Sequence, residues 1–159
     1  LPYAALGLAV PEKGRRLRYG VYRTTTADLV KPSGSAITVG PAKFLSALSS
    51  ASNASPVTTV IHYVQSRAGY PTESPQSSSP ACNNGGDVIN PAYVLVAPGT
   101  DADQRPEQHP EFDTINAAFV SGTSTCVASP DRPSSFRHDD MVAAESTLSL
   151  LGWLTALER

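Results

Sequence analysis

Residues 90–99, NPAYVLVAPG, contain the clearest buried strand of the sequence. From Ala92 to Ala97 the side chains are aliphatic or aromatic, and Pro98-Gly99 ends the run, as is typical of a strand in the middle of a sheet. A buried strand needs paired neighbours, and the sequence supplies candidates on both sides of it.

Three segments before this strand also have strand character. Residues 16–25 alternate, with Leu17, Tyr19 and Val21 on one face and more polar residues on the other. A second short strand is predicted at residues 36–39. The β-branched and aromatic run VTTVIHYVQ predicts another at residues 57–65.

Helices are predicted on either side of the buried strand. Pro41 can open a helix that continues to Ala51, since Phe44, Leu45 and Leu48 recur at helical spacing. Near the end of the chain, residues 138–144 predict a last strand. Ser146 can then cap a helix that runs through Leu157.

Residues 112–120 fit a short helix or a strand equally well. No internal repeat or domain boundary is evident. We therefore expect one α+β domain over residues 1–159, with an antiparallel sheet, a short helix after the first strands and a C-terminal helix.

The composition argues against binding to nucleic acid or to an anionic membrane surface. The chain has 159 residues, of which 16% are charged, and its net charge of −2 offers no basic field for nucleic acid or an anionic membrane surface. It has 14 prolines, and the proline- and serine-rich segment YPTESPQSSSP at Tyr70–Pro80 predicts a mobile loop. No run of eighteen apolar residues is present.

The two cysteines, Cys82 and Cys126, could be free thiols, half of a metal site or one disulfide. No Cys/His spacing typical of zinc surrounds them. The even count, with few lysines and much serine and threonine, favours a single disulfide in an oxidising compartment.

Acidic residues are the clearest candidates for binding a metal. Asp101, Asp103 and Asp113 lie in a polar segment that could offer oxygen ligands to calcium, although the glycine and final glutamate of an EF-hand loop are missing. A solvated acidic loop is the simpler interpretation, and no cofactor is required. Asp139 and Asp140 beside His138 could also suggest a metal, but the simpler expectation is that Asp139 or Asp140 binds the backbone at the entry to the last strand.

A serine hydrolase is one alternative. Gly122-Thr123-Ser124 resembles the first half of a nucleophile elbow, but Cys126 stands where the closing glycine belongs. Histidines and aspartates that could complete a triad occur by chance in any chain of this size. We therefore expect no enzymatic activity.

Four motifs, in this order, resemble those of bacterial prepilin-type proteins. They are LPYAALGL at 1–8, GRRLRYGVY at 14–22, NPAYVLVAPGTDAD at 90–103 and FRHDDMVAAES at 136–146. In such proteins, type IV pilins and type II secretion pseudopilins, similar segments open the globular head, form its central strand and close its sheet. Lys13 departs from the pattern, which has an aromatic residue at that position.

The resemblance implies a structural subunit of an extracellular or periplasmic filament, here a head without the N-terminal assembly helix. Its partners would be other pilin subunits or a separate helical pilin chain, and membrane contact would need the absent helix. Leu1, Tyr3, Leu6 and Leu8 would then contribute to subunit packing, although their role as ordinary core residues is the simpler interpretation. Some related pseudopilins bind calcium. A secreted adhesin or carbohydrate-binding module is the alternative, and exposed aromatic residues would distinguish it.

Overall fold

The computed structural model describes residues 7, 9, 15–24, 27–30, 41–53, 62–64, 88–89, 91–100, 109–135 and 138–157. Helices and strands both occur in these residues. In chain order they are β1 (Arg18–Val21), α1 (Pro41–Ser52), β2 (His62–Val64), β3 (Val88–Ile89), β4 (Pro91–Ala97), α2 (Thr114–Val120), β5 (Cys126–Val127), β6 (Met141–Ser146) and α3 (Thr147–Leu157).

The predicted buried strand is the centre of an antiparallel three-stranded sheet in the order β1–β4–β6. Leu95 of β4 pairs with Tyr19 on one side and with Ala143 on the other. Val94 pairs in the same way with Gly20 and Ala144, which places these residues on the opposite face. The predicted antiparallel sheet is confirmed at these three strands.

One face of this sheet is buried under α2 and β5. Val94 and Val96 are fully enclosed and cluster with buried residues of the covering layer: Phe112, Ala117 and Val127. This layer exists because α2 carries a continuous apolar run, INAAFV, whose only polar member is Asn116. The apolar area removed from water is the main stabilising contribution of this layer.

The two longer helices close one end of the sheet. Leu48 of α1 is completely buried in a cluster with Tyr22 after β1 and Ala92 of β4. Leu150, Leu151 and Leu154 of α3 pack against the same cluster. The predicted cap is confirmed, since the Ser146 hydroxyl accepts the Ser149 N–H at 3.0 Å.

A second sheet has the order β3–β2–β5. β2 pairs antiparallel with β3 and parallel with β5, so that His62 lies opposite Cys126. The strand prediction for residues 57–65 is confirmed at His62–Val64. The parallel pair was not predicted.

The start of the last strand was predicted wrongly. β6 begins at Met141, three residues after His138, which forms an isolated bridge with Ser135. The Asp139 and Asp140 carboxylates instead bind the segment that follows β4 and the segment that leads into α2. Residues 112–120 fit a helix or a strand equally well in the sequence, and in the structure they form a helix that begins at Thr114.

Several predictions fall outside the described residues. They concern the strand at 36–39, the Tyr70–Pro80 loop, Cys82, the packing residues Leu1, Tyr3, Leu6 and Leu8, and the acidic residues Asp101 and Asp103. The pairing of Cys82 with Cys126 stays a prediction for the same reason, although Cys126 itself is buried and is not a free thiol.

Candidate functional site

Two features of the β1–β4–β6 sheet could carry function: its uncovered face and its polar end. The uncovered face, called here the outer face, is formed by Tyr19, Tyr93, Leu95, Met141 and Ala143. The β4 register places Leu95 beside Tyr19 and Ala143, while Tyr93 and Met141 project from the same side.

The outer face is largely apolar and open to solvent, and Glu145 lies opposite Tyr93 at its edge. Tyr19 is 51% exposed, Tyr93 is 38% exposed and Met141 is 66% exposed. Three large apolar or aromatic residues on one sheet surface form a patch of the kind that marks an interaction site. Because β4 is apolar throughout in the sequence, the sequence alone does not tell which of its faces stays uncovered.

The polar end of the sheet is formed by the residues that follow β4 and precede β6. Ala97 pairs with Met141, so Pro98–Thr100 must run beside His138–Asp140. The segment that leads into α2 reaches the same place through Asp113. Asp113, Asp139 and Asp140 are called here the carboxylate cluster.

Asp139 binds the end of β4. Its Oδ2 accepts hydrogen bonds from the N–H and from the hydroxyl of Thr100, both at 2.7 Å. Gly99 is in such close contact with Asp139 that a Cβ added there would lie 2.6 Å from the Asp139 carbonyl oxygen and closer still to its carboxylate. Only glycine fits at this position without a shift of the backbone.

Asp140 joins three segments through one buried carboxylate. Its Oδ1 accepts the Gly99 N–H at 3.3 Å, and its Oδ2 accepts the Asp113 N–H at 2.8 Å. The same Oδ2 accepts a hydrogen bond from Asn116 Nδ2 at 3.2 Å. The prediction that Asp139 or Asp140 binds backbone N–H groups is confirmed for both residues.

Asn116 extends this network to β5. It is 0% exposed, and its Oδ1 accepts the Ala128 N–H at 2.9 Å while its amide nitrogen donates to Asp140. The two polar atoms of its side-chain amide therefore link the segment before β6 to the segment after β5. The sequence prediction missed this residue, and the signal that could have found it is a single amide inside the apolar run of α2.

Asp113 occupies the N-cap position of α2 but makes no side-chain cap hydrogen bond. Its Oδ2 instead accepts the Asp139 N–H at 3.0 Å. The Asp113 carboxylate therefore binds the backbone of the segment that leads into β6.

The cluster is electrostatically strained. The pKa of Asp113 is raised to about 7, chiefly by burial and also by the Asp140 and Asp139 carboxylates, while the hydrogen bond from the Asp139 N–H lowers it. Burial likewise raises the pKa of Asp140 to about 6, against the hydrogen bonds from Asp113, Asn116 and Gly99, which lower it.

His138 is buried beside the cluster. Asp113, His138 and Asp140 each bring one potential ligand atom into a group whose atoms lie within 4.8 Å of one another. Three such atoms could contact a small divalent cation, with water completing the shell. The Asp113 and Asp140 carboxylates accept hydrogen bonds from backbone N–H groups and from Asn116. Of the predicted calcium residues, only Asp113 lies in the described part of the chain.

The segment that resembles the first half of a nucleophile elbow is a turn. Ser124 Oγ accepts the Cys126 N–H at 3.0 Å, and the Ser124 N–H donates to the Ala118 carbonyl. Both contacts stabilise the connection between α2 and β5.

A scan against models of known protein families, a search of curated proteins and a search of solved structures each find no match. Among the described residues, no helix has the length and apolar character needed to cross a membrane.

Proposed function

We propose that this chain is the head of a non-enzymatic structural subunit in a filament of the type IV pilus or type II secretion pseudopilus kind. The filament would lie outside the cell or in the periplasm. The partners would be other pilin subunits, including copies of this chain, or a separate helical pilin chain.

The ordered sequence motifs support this proposal. Three of the segments that resemble prepilin-type proteins are far apart in sequence, at 14–22, 90–103 and 136–146. They contain β1, β4 and β6, which are adjacent strands of one sheet. An antiparallel sheet built from these segments is what the resemblance implies for a pilin head.

The observation that carries the proposal is the outer face. A folded domain gains free energy by covering such a surface, because each Å² of apolar area removed from water contributes about 25 cal/mol. A neighbouring subunit or a separate pilin helix would cover Tyr19 and Met141 on assembly. The predicted Cys82–Cys126 disulfide would hold the segment before β3 to β5 in an oxidising compartment.

A charge placed on the outer face tests the proposal. In cells that produce this chain, the double variant Tyr19→Glu, Met141→Glu should fold as the wild type does, because both positions are exposed. It should enter isolated filaments at least about tenfold less than the wild type, since an interface would bury two unpaired carboxylates. Quantitative immunoblotting of the filament fraction measures this change.

Leu148→Glu is the matched control. Leu148 is 70% exposed, but it lies on α3 and not on the outer face. The proposal predicts normal incorporation of this variant. Equal incorporation of the double variant and the wild type would contradict the proposal. Recovery of the wild-type chain only outside the filament fraction would contradict it as well.

An adhesin-like module remains the second candidate, because two exposed tyrosines, Tyr19 and Tyr93, lie on adjacent strands of the same face. Aromatic rings of this kind can stack on sugars. Saturable binding to an oligosaccharide that is lost in Tyr93→Ala, together with unchanged filament incorporation of the double variant, would favour that function.

A further inference from the structure

The β1–β4–β6 sheet has two edges, and they differ in how they are protected. Among the described residues, β1 and β6 each pair with β4 alone, so one side of each strand has no partner strand. The unpaired N–H and C=O groups of such an edge can hydrogen-bond to a strand of another chain. Proteins commonly prevent this pairing with charged residues or proline on the edge.

The β1 edge carries this protection and the β6 edge does not. Arg15, Arg16 and Arg18 are exposed in β1 or just before it. β6 contains neither a basic residue nor a proline. Its only charged side chain is Glu145, whose Oε1 accepts the neighbouring Ser146 N–H at 3.2 Å. β6 is therefore the edge that favours pairing with another strand.

The hydrogen bonds of β4 show which of its backbone groups face β6. The Tyr22 N–H donates to the Ala92 carbonyl at 2.9 Å, so this carbonyl faces β1. The N–H on the same trans peptide belongs to Tyr93, points the opposite way and faces β6. Backbone direction alternates from one residue to the next along a strand, so Leu95 and Ala97 also face β6.

The β6 residues opposite these three direct their backbone groups toward β4. They are Glu145, Ala143 and Met141. Val142 and Ala144 lie between them and therefore direct their N–H and C=O groups away from β4, into the free edge. In the part of the chain that the structure describes, no hydrogen bond from another segment reaches the backbone of these two residues.

The elements around β6 leave this edge open. α2 and β5 lie on the inner face of the sheet, where the Val142 and Ala144 side chains pack. α3 follows β6 directly but runs toward β1, since Leu154 packs on the cluster that contains Tyr22. Ala143 is exposed on the outer face. None of these described elements covers the β6 edge.

We infer that the free edge of β6 is a docking site for β6 of a second copy of this chain. The two strands run antiparallel about a two-fold axis at Ala143, and the two sheets become one continuous sheet. Val142 of one copy lies opposite Ala144 of the other, and each such pair exchanges both of its backbone hydrogen bonds. The paired segment is β6 alone, because α3 begins at Thr147. This inference goes beyond the filament function and does not depend on it.

The side chains of β6 fit this register. Ala143 meets its own copy across the axis, where opposite Cα atoms approach to about 4.5 Å and a small side chain fits. Glu145, the only charge of the strand, lies opposite Met141 of the second copy. A register with Glu145 opposite its own copy would bring like charges together, which is destabilising. The strand is thus complementary to itself, as a two-fold interface requires.

Hydrogen exchange tests the docking site residue by residue. The Val142 and Ala144 amides of the full chain should exchange at least about threefold more slowly at about 1 mM than at about 50 μM, because the dimer protects them. The Ala143 and Glu145 amides donate to β4 in monomer and dimer alike and should change much less. They are the control within the same strand. Sedimentation equilibrium over the same range should show the mass rising from monomer toward dimer.

A cysteine on the axis tests the register. In Ala143→Cys the two new side chains face each other in a non-hydrogen-bonded pair, at a separation that a disulfide can span. Leu148→Cys is the matched control, since Leu148 is 70% exposed but lies on α3. Mild oxidation should cross-link Ala143→Cys at least about tenfold faster than this control, because pairing holds the two thiols together. The wild-type chain controls for the native cysteines.

Proline at the edge tests the hydrogen bonds. Ala144→Pro removes an N–H that faces the free edge and no hydrogen bond to β4, and proline is tolerated at such positions. It should weaken dimerisation at least about tenfold in sedimentation equilibrium. If this variant does not fold, the wild-type exchange pattern and the cross-linking of Ala143→Cys still decide the question.

Four results would overturn the inference. One is a chain that stays monomeric at about 1 mM, below even the weakest association expected of so short an interface. Another is equal protection of the Val142 and Ala144 amides at every concentration, which would show that the chain covers its own edge. A dimer in which Ala143→Cys does not cross-link would place the interface elsewhere. Protection that requires a different protein would make the edge a site for another partner.

Discussion

At one end of the β1–β4–β6 sheet, α1 and α3 pack leucine and alanine side chains around Tyr22 and Ala92. At the other end, the chain is held by aspartate carboxylates that accept N–H and hydroxyl hydrogen bonds. The first end depends on apolar burial, which does not titrate. The second depends on carboxylates, and burial raises the pKa of Asp113 and of Asp140. One end of the sheet is therefore held by apolar contacts and the other by buried acidic groups.

The largest expected effect is at the apolar end. Leu48→Ala removes a completely buried side chain from the contact between α1 and α3. It should lower the free energy of unfolding by about 3 kcal/mol, through lost burial and the cavity left behind. Urea unfolding at two pH values should give the same loss at both. A loss that differs by more than about 1 kcal/mol between them would remove the contrast between the two ends.

A smaller effect is expected at the polar end. Gly99→Ala places a methyl group against Asp139, whose backbone would have to move. This change should cost about 2 kcal/mol. The matched control is Gly152→Ala in α3, where an added Cβ meets nothing within 4 Å. It should instead stabilise the chain by about 0.5 to 1 kcal/mol, as alanine is the better helix former. Equal effects of the two substitutions would show that the contact with Asp139 is unimportant.

Much of this fold could be predicted from local sequence patterns. The run at Ala92–Ala97 predicted β4 because an apolar run that Pro98-Gly99 ends is typical of a central strand, although only one face of β4 is fully buried. Pro41 and Ser146 predicted the starts of α1 and α3, since helix ends depend on residues next to them in the chain.

The remaining features depend on contacts between distant segments. The start of β6 was misplaced because Asp139 and Asp140 bind the ends of other elements, which a local pattern cannot show. α2 stayed undecided because a short apolar run fits either structure, and its packing on Val94 and Val96 favours the helix.

The candidate sites were predicted in part. The backbone-binding role of Asp139 and Asp140 was expected, but Asp113 was considered only as a calcium ligand. Its position against Asp139 depends on how β4, α2 and β6 meet. The bridging role of Asn116 was missed for the same reason. The outer face required the sheet register, which no single strand reveals.

Met141 offers the most direct test of the proposed assembly. It is the only methionine in the chain, and its side chain is open on the outer face. Methionine oxidation follows exposure, so peroxide should convert Met141 to the sulfoxide rapidly in the isolated protein. In filaments that contain this chain, the account predicts oxidation at least about tenfold slower, as read by mass spectrometry, because a partner covers the outer face. Oxidation at the same rate in both forms would contradict it.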